Sequence, residues 1–210
     1  MESVATIMGP FITKEQLMTK MIKTSLLIAL FLLPIITLGA GGKEASFSPY
    51  VDGNGNITLP KDFRATWVHL GTIFVTSQTA MGPGLGKTAP GSGHHDVYTQ
   101  PESLRAYKKT SKWADRTVIV MEGRTMKWDD VPTGHVIYGG KPTDWFVMVK
   151  DGKGRFKNSP NWGDGWGWAL FRAADPKKNA STGYKNDCLS CHEVAKDTDW
   201  VFISGYPTLR

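Results

Sequence analysis

The sequence predicts a mainly β domain of the α+β kind: an antiparallel sheet with a few short helices. Three observations carry that expectation. Stretches rich in β-branched and aromatic residues recur at 66–76, 94–98, 116–122, 134–138, 143–150 and 162–171. Turn chemistry separates them, as at Asp151-Gly152. Helical signals are few: 101–109 reads as a short helix with Pro101 at its first turn, and a second short helix is expected at 185–195.

The chain opens with a polar lead to Lys20, then Met21-Ile22-Lys23 and an apolar run from Leu26 to Leu38 broken by Pro34. A basic start, a short apolar core and the small residues Gly39 to Gly42 describe a secretory signal over 1–42, with Met21 an alternative start and cleavage expected near 40–42. The run is short for a membrane span, so no stable span is expected in the mature chain, although an uncleaved anchor is the alternative. The expected location is periplasmic or otherwise exported. About 170 residues follow, enough for one domain with a real core. The formal charge is +6, and residues 1–40 supply one unit of it, three lysines against two glutamates. This balance suits solubility or an acidic redox partner. No clustered basic and aromatic pattern points to nucleic acid.

Residues 43–56 form a lead-in, rich in turn residues at Asp52-Gly53-Asn54-Gly55-Asn56, and 57–210 form the folded domain. Residues 81–93 read as a glycine-rich loop. They contain Gly-Lys-Thr but lack the glycine that a phosphate cradle needs four residues earlier. The segment 161–168 interleaves tryptophan with glycine. Its glycines permit close backbone approach, and its indoles either wall a bound group or pack the core.

Cys188-Leu189-Ser190-Cys191-His192 reads C-x-x-C-H, the attachment signature of a c-type haem. Each thiol can add to one vinyl group, and His192 is placed to bind the iron from below. The motif uses both cysteines of the chain. A redox dithiol would want a βαβ context near the start of a domain, and half of a zinc site would want further ligands at ordinary spacing. The expected cofactor is one covalently bound haem c.

The pattern resembles the cytochrome P-460 family. The residues that carry the likeness are Val97-Tyr98, Pro101-Glu102-Ser103, Lys108-Lys109-Thr110, Thr117 to Val120, the motif from Cys188 to His192, Thr198-Asp199, Val201-Phe202 and Tyr206-Pro207. The resemblance implies an antiparallel β domain, a five-coordinate haem and a homodimer. Members of one kind carry a lysine bonded to the porphyrin and oxidise hydroxylamine. Their relatives, the beta-type cytochromes c′, bind nitric oxide or carbon monoxide in an apolar pocket without that catalysis.

Three positions depart from the catalytic pattern. Met121 stands where the family has its cross-linking lysine, and a thioether has no amine for that bond. Met121 is then core packing, a weak axial ligand or an unusual sulfur link. Phe146 falls where catalytic members carry a distal glutamate, which suits a dry pocket. His95 stands where an arginine can precede the Val-Tyr pair, either facing the haem or as a satisfied polar residue. Glu122 and Asp144 are the remaining candidate proton acceptors, or ordinary surface and turn acids. Three functions follow: an open-iron cytochrome acting on hydroxylamine or nitric oxide, a non-catalytic gas binder, and a six-coordinate electron carrier.

Overall fold

The computed structural model describes residues 13–15, 47–75 and 93–210. The apolar run 26–38, the expected cleavage region 40–42 and the glycine-rich stretch 81–92 lie outside the described residues. The chain divides into Met1–Lys43 and Glu44–Arg210, and every element below belongs to the second unit. Among the described residues, no helix is long and apolar enough to cross a membrane.

The elements are α1 (Phe63–Thr66), β1 (Val68–Val75), β2 (Gly93–Thr99), α2 (Pro101–Thr110), β3 (Val118–Val131), β4 (Gly134–Lys150), β5 (Trp162–Gly163), β6 (Trp166–Arg172), β7 (Asp175–Asn179), α3 (Tyr184–Asp187) and α4 (Leu189–His192), with 3₁₀ turns at Glu193–Thr198 and Pro207–Leu209. The strands form one sheet in the order β1-β2-β3-β4-β6-β5, and β7 pairs β6. Every pairing is antiparallel. The mainly β expectation therefore describes the molecule.

Alternation along the strands sorts the side chains onto two faces. One face carries Val97, Ile119, Met148, Trp166 and Trp168, covered by Tyr107 of α2 and by Tyr184, Cys188, Val201 and Tyr206 of the C-terminal segment. The other carries Val118, Val120, Trp145, Val147, Val149, Ala169 and Phe171, covered by Val51, Ile57 and Phe63. The lead-in is thus built into the second core, and the Trp162 indole ties it down by donating to the Gly55 carbonyl at 2.8 Å.

Three elements differ from expectation. Residues 134–138 and 143–150 belong to one strand of 17 residues, because two register shifts near Arg124 carry the ladder past Pro142, which has no N–H to give. β3 runs to Val131, so β3 and β4 continue as a two-stranded ribbon after β2 ends opposite Arg124. The helix expected at 185–195 is broken at Cys188, whose φ and ψ are −127° and −39°. Ahead of the break, the Asp187 carboxylate accepts from the Thr182 amide at 2.6 Å and from the hydroxyls of Ser181 and Thr182 at 3.1 and 3.0 Å, which ties α3 to the turn before it.

Candidate functional site

Cys188 caps α4, and Cys191 and His192 lie within its single turn. Neither cysteine is in a disulfide; Cys188 is buried and Cys191 exposed. Burial, and then the charge of Asp187, pushes the Cys188 thiol up to about 12. Cys188 therefore stays protonated and is a poor redox dithiol.

His192 is oriented by a main-chain group. Its Nδ1 lies 2.7 Å from the Trp200 carbonyl oxygen, which can only accept, so Nδ1 carries the proton. Burial lowers the imidazole below the ordinary histidine range, opposed by this hydrogen bond. The ring is then neutral, with its lone pair on Nε2. Trp168 meets the ring edge-on at 4.8 Å, and Phe202 lies at 5.4 Å on a tilted plane. A neutral imidazole with a bonded Nδ1–H and a free Nε2 lone pair is the arrangement a metal-bound histidine uses. The free thiols of Cys188 and Cys191 would add to the haem vinyl groups and His192 would bind the iron, so the residues fit a haem.

The sheet face beneath this segment is built in rungs. Trp168 pairs with Met148, which pairs with Ile119. The next rung on the same face is Leu170, Phe146, Met121 and Val97. The one after is Arg172, Asp144, Gly123 and His95. Successive rungs on one face are about 7 Å apart. Met121 and Phe146 are therefore direct cross-strand neighbours. Met121 packs against the buried cluster that contains Trp168 and Cys188. Phe146 is half-buried.

His95 and Asp144 flank Gly123 on the outer rung. A Cβ at position 123 would clash with the Asp144 carboxylate, so the glycine is what lets that carboxylate lie across the strand toward His95. Asp144 also faces Arg172 at 3.5 Å. His95 is buried, and burial lowers its imidazole below the ordinary range, with the Asp144 charge opposing. Burial thus disfavours the protonated form of His95, which leaves Asp144 as the acid of this rung.

Glu122 is on the other face, away from these residues. Its side chain is fully buried. Arg64 reaches both of its oxygens, Arg124 donates to Oε2 at 2.8 and 3.0 Å, and the Trp145 indole donates to Oε1 at 2.9 Å. Burial raises its pKa, but these hydrogen bonds outweigh burial and hold it below the ordinary carboxylate range. Glu122 is a structural anion that joins α1 to the sheet, not a group beside His192.

The sequence reading did not single out the Trp200 carbonyl, Gly123 or Arg64. A main-chain acceptor leaves no residue-type signal, and a glycine inside a strand marks only a close approach. Within the tryptophan–glycine segment, Trp168 walls His192, whereas Trp162 packs the far core. Gly163 gives room to the Tyr184 ring and so lets α3 sit against β5. A family model described as cytochrome P-460 matches residues 60–203. No curated protein matches the chain.

Proposed function

Because the chain belongs to the cytochrome P-460 family, and so is a haem cytochrome, we propose that it is an exported c-type member whose iron site is open and acts on a small nitrogen species such as hydroxylamine or nitric oxide. The observation that carries this reading is the His192 Nδ1–H bond to the Trp200 carbonyl, which leaves Nε2 as a single well-aimed ligand. Cys188 and Cys191, one helical turn apart, would hold the haem covalently. When bound, the haem supplies a redox-active iron and a route for electrons to a partner protein. Met121 and Phe146 present a thioether and a phenyl ring side by side, an apolar rung that would wall the ligand pocket. Asp144, leaning over Gly123, accepts protons as the substrate is oxidised, and His95 on the same rung, whose protonation burial disfavours, is a polar wall of that site.

A second reading is favoured by Phe146. An apolar side chain at that rung, with no amine at Met121, suits a non-catalytic binder of nitric oxide or carbon monoxide. Asp144→Asn separates the two. On the catalytic reading it lowers hydroxylamine oxidation about 100-fold and leaves carbon monoxide affinity unchanged. Unchanged oxidation removes Asp144 from the reaction. Absence of oxidation in the unaltered holoprotein, with tight gas binding, selects the second reading.

The homodimer belongs to the same proposal. The β3–β4 ribbon bears Trp128, Val131, Ile137 and Tyr138, all at least 37% exposed. Trp128 and Ile137 are cross-strand partners, and this exposed apolar surface supports pairing with a second copy.

A further inference from the structure

The corner that carries the Trp200 carbonyl is held by a set of contacts that nothing in the haem motif requires. Asp199 and Trp200 both have left-handed backbones, with φ of 56° and 66°. That conformation is unfavourable for a residue with a Cβ and is uncommon for a bulky one. Two such residues in succession persist only where their surroundings fix them.

The surroundings are specific. Lys150, at the end of β4, places Nζ 2.6 Å from Asp199 Oδ1. The Trp166 indole, across the strand pair from Lys150, donates to the Asp199 carbonyl at 3.0 Å. The Lys150 ammonium also sits 4.8 Å from the centre of the Trp166 ring. Trp166 is fully buried, and the Lys150 side chain is 13% exposed. Gly165 leaves the space that Nζ occupies, since a Cβ there would lie 3.1 Å from it. On the near side, the Trp200 amide donates to the Ala195 carbonyl at 2.9 Å, and the Thr198 hydroxyl bridges the carbonyls of Ala195 and Val201 at 2.9 and 2.7 Å.

We propose that Lys150, Asp199 and Trp166 are positioning residues that set the donor strength of His192 by fixing the Trp200 carbonyl against its Nδ1–H. A hydrogen bond to Nδ1–H gives the imidazole partial imidazolate character, which strengthens its bond to iron and favours the ferric state. The sheet thus reaches the iron through a salt bridge, a left-handed corner and one main-chain oxygen. The inference rests on His192 being the iron ligand.

The test uses ferrous holoprotein, the iron–imidazole stretching band read by resonance Raman spectroscopy, and the reduction potential. Labelling the histidines with ¹⁵N must move that band in the unaltered protein. A label-insensitive band would overturn the ligand assignment and the inference with it. Lys150→Met is expected to lower the stretching frequency and raise the potential, and Lys150→Arg to restore both in part. Val147→Ala, in the core on the opposite face of the sheet, is expected to change neither. Where Lys150→Met fails to accumulate, Asp199→Asn removes the same ion pair at nearly unchanged shape and should shift both readouts in the same direction. Variants that are less stable but keep the wild-type frequency and potential would overturn the proposal, leaving the ion pair a purely structural tie.

Discussion

Glu122 and Asp144 are both acids on the central strand pair, and the sheet gives them opposite fates. Met121 faces the haem segment, so its neighbour Glu122 must face away. That parity was legible in the sequence once Met121 was assigned to the site, whereas the arginines that meet Glu122 were not, since Arg64 lies 58 residues upstream. Glu122→Gln removes the anion from between two guanidinium groups, and stability at pH 7 should fall by about 3 kcal/mol, measured by urea unfolding. The pH dependence has a definite sign. The folded-state pKa is depressed, so the contribution is complete above the unfolded value of about 4.3 and is lost as pH falls through the folded one. The wild-type advantage over the variant should therefore close in acid; an advantage that persists there contradicts the ion-pair account. The proposed haem-attachment residues carry the clearest signal in the sequence, because covalent attachment would dictate residue type and spacing together. Replacing both Cys188 and Cys191 by alanine should abolish covalent haem, read by mass after denaturation. Covalent haem that survives the double change would refute the attachment site.

At the scale of elements, the sequence showed strands well where β-branched residues cluster and poorly where pairing alone sustains them. Residues 124–131 include Arg124, Lys127, Asp129 and Asp130, a composition that does not announce a strand. They are extended because β4 pairs with them as far as Val131↔Gly134. β7, Asp-Pro-Lys-Lys-Asn, is a strand for the same reason, held by β6. The segment 185–195 went the other way, since a stretch with a helical pattern is divided at Cys188 into two short helices. An isolated two-stranded ribbon is marginally stable in water, so the exposed half of β3–β4 gains from a partner. Trp128→Ser with Ile137→Ser should weaken the proposed dimer by at least about 30-fold, about 2 kcal/mol, in sedimentation equilibrium. Unchanged association would place the dimer contact elsewhere.

For the whole molecule, the sheet acts as a partition between two cores. One face carries the second core, formed with the lead-in and stitched by Glu122 and Trp162. The other receives the haem segment and exposes the rung of Met121 and Phe146 beside it. The fold class was legible because strand count and turn chemistry are local. The partition was not, because it depends on register between segments far apart in sequence. In the proposed function, His192 is the one protein ligand to the iron and the opposite position stays open. The most direct measurement is the optical spectrum of the ferrous holoprotein with and without carbon monoxide. A high-spin spectrum that shifts sharply with the gas is the predicted result. A sharp low-spin spectrum indifferent to carbon monoxide would contradict it, meaning that Met121 or a histidine fills the sixth position and that the protein carries electrons.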